Sequence, residues 1–205
     1  MSDLVTAELL AVPASNPKLS APALLGILKT YLHASEAEWL FLRELKVGTG
    51  RRNGSIQRLD AFALNCLPHQ AMKRVCYEVK ISRADYLCEL RHPLKRRIGM
   101  RFSNEFYFVT PGGLLEPSEV PVDCGLVEAG YATADEWVAL QSRQSGYFHY
   151  DPATSEYCIV TVPAPWRDTP GPTWQFAAAM LRNQKRQLQD ANPLRGPEQG
   201  RLSFD

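Results

Sequence analysis

Residues 74–81 read Arg-Val-Cys-Tyr-Glu-Val-Lys-Ile and are followed directly by Ser-Arg-Ala-Asp-Tyr-Leu at 82–87. In the first part apolar residues occupy every second position, which predicts a strand over 74–81. The second part begins with Ser82, a residue type favoured at helix N-termini, and predicts a helix over 83–90. One face of the strand is apolar and suited to a core, whereas the other carries Glu78 and Lys80.

The elements on either side complete the order of the fold. The pattern predicts a helix over 21–34, strands over 39–47, 56–67, 105–110 and 124–129, further helical residues to 102, a capped helix from Thr133 to about 142, a hairpin from 146–150 and 157–162, and a last helix over 173–189. This order predicts an α/β domain with one mixed sheet and helices on its faces. The expected division is a flexible arm at 1–20, the α/β domain at 21–162, a linker with a packed helix at 163–190, and a disordered tail at 191–205.

Composition gives broad limits on the class of protein. The 205 residues are 45% hydrophobic and 22% charged, which suits one domain with a packed core. The net charge of +1 gives no support for a strongly basic nucleic-acid binder. Five cysteines occur without a Cys-x-x-Cys pair, which makes a zinc ribbon unlikely and favours buried thiols in a reducing compartment.

The sequence shows no signal-peptide pattern and no apolar run of the ~20 residues that span a membrane, so a cytoplasmic protein without a membrane partner is expected.

Three residues of neighbouring strands combine into candidate chemistry. Glu78 and Lys80 point to the same side of their strand, one pleat apart. Asp60 lies in the middle of the preceding strand among apolar residues, where an uncompensated charge is costly. If the two strands are neighbours, Asp60 and Glu78 meet, and their oxygens suit Mg²⁺, which prefers hard oxygen ligands. The plainer reading is a surface ion pair between Glu78 and Lys80, because Glu-x-Lys is common on solvated strands.

These residues resemble the motif of the PD-(D/E)xK, or restriction-endonuclease-like, nuclease superfamily. The sequence after Lys80, together with Phe-Tyr-Phe-Val-Thr-Pro at 106–111 and Val-Asp-Cys-Gly-Leu-Val at 122–127, is similar to the MmcB-like DNA-repair branch and related bacterial and phage proteins. The resemblance covers about residues 36–129. It implies a restriction-endonuclease-like sheet, with Asp60 and Glu78 as metal ligands and Lys80 as the catalytic lysine. Leu59 stands where the family motif usually has proline.

The resemblance also implies a further acid from the first helix or strand. Glu44 is the candidate metal ligand, with Glu36 and Glu38 as alternatives, and its plainer reading is a surface ion pair with Arg43 or Lys46. Asp85 and Glu89 lie one helical turn apart, which is typical of a solvated helix face.

Basic residues after the motif are candidates for contacts to DNA phosphates. We expect this role for Ser82, Arg83, Arg91, Lys95 and Arg96, since hydroxyl, Arg and Lys groups bind phosphates without reading sequence. Their plainer readings are a helix N-cap for Ser82 and a solvated face for the basic run. The four tryptophans are expected to be packing residues, with stacking of Trp166 on a base as an alternative.

The expected function is hydrolysis of DNA phosphodiester bonds with Mg²⁺, or Mn²⁺ in its place, in DNA repair, recombination or phage DNA processing. DNA is the expected partner, and a homodimer is left open. Two alternatives remain: a catalytically inactive DNA-binding module on the same fold, and a non-enzymatic α/β interaction protein.

Overall fold

The computed structural model describes residues 19–48 and 57–191. Its strands are β1 (Trp39–Val47), β2 (Gln57–Asn65), β3 (Arg74–Val79), β4 (Glu105–Thr110), β5 (Gly125–Tyr131), β6 (Phe148–Asp151) and β7 (Glu156–Val162). Its α-helices are α1 (Ala21–Leu32), α2 (Arg83–Leu90), α3 (Arg97–Phe102), α4 (Ala134–Gln141) and α5 (Trp174–Asp190). The predicted α/β class, with a mixed sheet, flanking helices and a terminal helix, is confirmed.

The strand and helix positions agree with the sequence pattern to within a few residues at their ends. The predicted third strand is shorter than expected, because β3 ends at Val79 and the backbone N–H of Lys80 makes a single further bond to the Val109 carbonyl at 2.9 Å. The predicted flexible arm, apart from Leu19 and Ser20, lies outside the described residues, as does the predicted tail beyond Ala191.

The seven strands form one sheet in the order β1-β2-β3-β4-β5-β7-β6. β1, β2 and β3 pair antiparallel, whereas β3, β4 and β5 pair parallel. The predicted C-terminal hairpin, β6 and β7, extends the sheet at its far edge through the antiparallel pairing of β7 with β5. β4 lies in the middle with five of its six residues buried, as its nearly unbroken apolar sequence predicts.

Helices cover both faces of the sheet. On one face Leu24 and Leu28 of α1 pack against Ala61 and Val79. On the other face α2, α3 and α5 contribute Tyr86, Phe102 and Phe176, which pack against Phe62 and Phe106. Because Cys76 belongs to the second face, the alternation along β3 places Glu78 on that face as well.

Gly99 permits the close approach of α3 to the sheet. A Cβ added at this position would lie 2.8 Å from the Cys76 sulfur and 2.9 Å from the Phe106 ring. Only a residue without a side chain therefore fits between α3 and the strands β3 and β4.

The proline-rich segment before α5 is attached to the sheet. The backbone N–H of Arg167 donates to the Asn104 carbonyl at 2.8 Å, and the Arg74 guanidinium donates to the carbonyls of Thr169 and Pro170. The predicted linker is thus an ordered strap that fixes where α5 begins.

The five cysteines are all free thiols. The expectation of burial is confirmed for Cys76, Cys124 and Cys158 and is wrong for Cys66 and Cys88, which are exposed. Burial raises the pKa of the Cys124 and Cys158 thiols to about 12, so both are protonated at neutral pH.

A candidate metal centre at the end of strand β3

The candidate centre lies where β2 and β3 separate. The ladder between these strands ends at Ala61 and Tyr77. One residue further, the Asp60 Oδ2 accepts a hydrogen bond from the Val79 backbone N–H at 2.9 Å. On the β2 side of β3, the Asp60 carboxylate thus accepts the hydrogen bond that a backbone carbonyl of β2 would accept if the ladder continued. This contact holds Asp60 beside the end of β3.

Lys80 is the centre of an acidic cluster. Its Nζ lies 2.8 Å from Glu78 Oε1, 3.5 Å from Glu89 Oε2 and 3.7 Å from Asp85 Oδ1. The Lys80 side chain is only 6% exposed, which suits an ammonium group with several acidic neighbours. Glu78 and Lys80 are thus in direct contact, and the bond to the Val79 N–H holds Asp60 beside the end of the same strand. Asp85 and Glu89 add two more acids from α2. We call Asp60, Glu78, Lys80, Asp85 and Glu89 the acidic cluster.

Glu89 is the residue that the sequence interpretation missed. A solvated helix face was expected for Asp85 and Glu89; Asp85 is 52% exposed, but the Glu89 side chain is only 5% exposed. Glu89 Oε1 is buried and has no hydrogen-bond partner among the residues that the structure describes. Glu89 lies three residues after the buried Tyr86, and this helical spacing is the signal that places it on the inner face of α2.

The cluster shifts the pKa of each of its central groups. Burial, and then the nearby Asp60, raise the pKa of Glu78 to about 7, although Lys80 opposes the shift. Burial also raises the pKa of Asp60, against the opposing effect of the Val79 N–H. For Lys80 burial is the largest single influence and lowers the pKa, but Glu78, Glu89 and Asp85 together outweigh it and raise the pKa.

The charge of the cluster favours a cation. Three carboxylates lie within 3.7 Å of the Lys80 ammonium group and Asp60 lies beside the same end of β3, so a phosphodiester would be repelled unless positive charge were added. Carboxylate oxygens are the ligands that Mg²⁺ prefers, and the buried Glu89 Oε1 has no hydrogen-bond donor within the described residues. Among residues 19–48 and 57–191 no group of three or more His, Cys, Asp or Glu side chains is arranged to hold a metal. No third acid among these residues joins Asp60 and Glu78 in such an arrangement, so a Mg²⁺ ion held there would have two carboxylate ligands and water in its other positions, as Mg²⁺ usually retains.

Glu44, the third expected ligand, does not join this group. Its backbone has φ 51°, and its carboxylate is 62% exposed and lies 4.0 Å from the Arg58 guanidinium. The side-chain amide of Asn183 donates to the Glu44 carbonyl at 3.3 Å and to the neighbouring Arg43 carbonyl at 3.0 Å. The contacts of α5 are thus made where the backbone of β1 is locally irregular, at Glu44. Of the two alternatives, Glu36 binds Lys29 at 2.8 Å and Glu38 is exposed.

Three of the expected DNA-binding residues are engaged within the protein. Ser82 is the N-cap of α2 and accepts a bond from the Asp85 N–H at 3.3 Å. Arg83 forms a two-point ion pair with Glu119. The Arg96 guanidinium lies over the Phe108 ring at 5.7 Å. Arg91 and Lys95 are exposed.

The tryptophans divide into two groups. Trp137 is buried and Trp39 is half-buried, as expected. Trp174 is 91% exposed at the first turn of α5, so its assignment to packing is wrong. Trp166 is also largely exposed, and its indole N–H donates to Asp168 Oδ1 at 3.0 Å.

Within the described part of the chain, no helix is long and apolar enough to cross a membrane.

Comparison with known proteins adds information on the fold. No protein-family model matches the sequence, and no curated protein matches it. A similar solved structure is that of the SPO1766 protein of unknown function from Silicibacter pomeroyi, with 15% sequence identity and a TM-score of 0.54. The match covers 91% of this chain and 99% of that chain. The two chains therefore share an α/β fold over nearly their whole length.

Proposed function

We propose that this protein is a Mg²⁺-dependent deoxyribonuclease of the PD-(D/E)xK type, with Mn²⁺ as an alternative ion. The observation that carries the proposal is the convergence of Asp60, Glu78 and Lys80 at one end of β3. These residues come from two strands and are held together by the Val79 N–H and by the 2.8 Å bond between Lys80 and Glu78.

Asp60 and Glu78 would hold the ion. When bound, a divalent cation polarises a phosphate oxygen and lowers the pKa of a coordinated water. Glu78 has a pKa of about 7 in the metal-free protein, so near neutral pH a proton competes with a cation for its oxygens. Binding of the cation therefore releases a proton and becomes stronger as the pH rises to about 7.

Lys80 would act on the reacting phosphate. Its ammonium group carries a full charge at neutral pH, because the surrounding carboxylates raise its pKa. Once a cation takes over the charge of Glu78, the Lys80 Nζ is the hydrogen-bond donor available to orient the water or to stabilise charge that develops on the phosphate. Glu89 and Asp85 keep this ammonium group in place from α2.

The test is metal-dependent cleavage of DNA by the wild type and by Asp60→Asn. Single-stranded, duplex and supercoiled DNA are incubated with Mg²⁺, with Mn²⁺ or with chelator. Asn retains an acceptor for the Val79 N–H but loses the charge, so we expect at least about a hundredfold slower cleavage. Asp190→Asn, an exposed acid at the end of α5, is the matched control and keeps the wild-type rate.

Cleavage that persists with chelator, or an Asp60→Asn variant as fast as the wild type, would contradict the proposal. Binding of DNA by the wild type without cleavage under any of these conditions would support the catalytically inactive DNA-binding module in its place.

A further inference from the structure

A groove of about 450 Å³ opens on the same sheet face as Glu78 and Asp60. Its floor includes the core residues Phe102 and Phe176. Its polar rim is formed by Gln57 at the start of β2, Arg97 and Arg101 of α3, and Gln175 at the start of α5. With Val47 at the end of β1, four separate elements line the groove.

The groove has a positive lining. Arg97 and Arg101 are four residues apart on α3, so their side chains lie on one face of that helix. Both are exposed, and neither forms an ion pair within the described residues; the Arg101 guanidinium lies 5.5 Å from the centre of the Phe102 ring and keeps its exposure to solvent. No acidic residue belongs to the described lining. By contrast, the charge of Arg83 is matched by Glu119, so Arg83 is less suited to bind an external anion.

The groove lies close to the acidic cluster along β2. Gln57 is three residues before Asp60, which corresponds to about 10 Å along a strand. Each strand of B-DNA carries a phosphate about every 3.4 Å of helix axis. A DNA strand that runs along β2 with one phosphate at the acidic cluster would therefore carry another phosphate, about three nucleotides away, near Gln57 at the rim of the groove.

We infer that this arginine groove binds the phosphodiester backbone of a nucleic acid, through the guanidinium groups of Arg97 and Arg101. The groove supplies the affinity that the negatively charged acidic cluster lacks. The inference rests on the proposed function in one respect only, which is where the cleaved bond would lie. Binding in the groove itself requires neither a metal ion nor catalysis.

The experiment measures DNA binding without cleavage. Fluorescence anisotropy of short labelled DNA, single-stranded and duplex, is recorded with chelator from about 50 mM to 200 mM salt, the range in which phosphate contacts change affinity most clearly. The test variant is Arg97→Gln/Arg101→Gln. The control is Arg182→Gln/Lys185→Gln, which removes the same charge from exposed positions of α5 outside the groove.

Loss of two phosphate contacts lowers the slope of log affinity against log salt by about 1.8 for duplex DNA. We expect the groove variant to bind about 10- to 100-fold more weakly at low salt, and the control variant to bind within about twofold of the wild type. Because all four side chains are exposed, the circular dichroism and unfolding midpoints of both variants should match the wild type.

Wild-type affinity and salt slope in the groove variant would overturn the inference, as would equal losses in the two variants or no binding of DNA by the wild type. A calorimetric titration with inorganic phosphate tests whether the groove binds free phosphate instead of a nucleic-acid backbone. Binding of phosphate without binding of DNA would also overturn the inference. Cleavage is not part of this readout. A groove that binds DNA in a protein that never cleaves it would therefore leave the inference standing and remove only the proposed nuclease activity.

Discussion

Replacing Glu78 by Gln should stabilise the metal-free protein at alkaline pH. The carboxyl group has a pKa of about 7 in the folded protein and 4.5 in its unperturbed form. Because the folded state binds this proton more tightly than the unfolded chain, stability falls as the pH rises from 4.5 to 7 and then stays level. The full difference corresponds to about 3 kcal/mol at about 1.4 kcal/mol for each tenfold change in proton affinity.

Gln is close to Glu in shape and does not ionise, so the variant does not lose this part of its stability as the pH rises from 4.5 to 7. The Glu78 side chain is 18% exposed, and the variant also loses the charged partner of Lys80. We therefore expect a gain of about 1 to 3 kcal/mol at pH 8, most of it absent at pH 5. Mg²⁺ should stabilise the wild type at pH 8 but not the variant, because a cation compensates the same charge.

The assay is urea unfolding of both proteins with chelator at several pH values between 5 and 8, repeated with Mg²⁺. The difference between the two proteins reports the titration of Glu78 together with its effect on Asp60 and Lys80, since the remaining titrating groups are common to both. A Glu78→Gln variant whose stability relative to the wild type is no greater at pH 8 than at pH 5 would show that the Glu78 carboxylate does not destabilise the folded protein.

Three further perturbations follow from buried positions. Lys80→Met leaves Glu78 and Glu89 without their ammonium partner, so we expect a loss of about 3 kcal/mol at pH 8 and less at pH 5 in urea unfolding; an unchanged midpoint at pH 8 would contradict this. Burial lowers the pKa of His33 to about 3, so the unfolded chain gains a proton below pH 6.5 that the folded protein does not. Stability should therefore fall by about 2 kcal/mol from pH 6.5 to 5, and His33→Phe should abolish that part of the acid dependence in a pH series of melting curves; parallel curves for the two proteins would exclude it. Gly99→Ala brings a methyl group to 2.8 Å from the Cys76 sulfur and should cost about 1 to 3 kcal/mol by denaturant unfolding, whereas a variant as stable as the wild type would show that α3 moves freely.

The sequence predicted those parts of the candidate site that depend on strand alternation. Glu78 and Lys80 share a face because they are two residues apart at the end of β3, and Asp60 lies beside that end because β2 and β3 are neighbours. These relations are local or involve consecutive strands, so the period of the sequence is enough to predict them.

The parts that the sequence did not predict depend on distant contacts. The position of Glu44 depends on Asn183, which lies 139 residues further along the chain. The pairing of Arg83 with Glu119 spans 36 residues and removes a candidate phosphate contact. Which of the basic residues face a groove depends on where α5 docks, and nothing in the pattern of residues 91–101 distinguishes Arg97 and Arg101 from their neighbours.

Trp174 shows a different limit. Its apolar character predicted burial, but only the inner face of α5 is covered, with Phe176 and Met180 buried and Leu181 exposed. A helix on the surface of a domain has one buried face, and apolar residues on its outer face follow no rule that the sequence alone reveals.

A metal centre at Asp60 and Glu78 can be tested by calorimetric titration of Mn²⁺ into the wild type and Asp60→Asn, each with a non-hydrolysable phosphorothioate DNA. We predict one strong site in the wild type that is lost in Asp60→Asn, with affinity that rises with pH up to about 7 as the proton on Glu78 is displaced. Equal Mn²⁺ binding by the two proteins, or no binding by the wild type in the presence of DNA, would contradict a metal centre at Asp60 and Glu78.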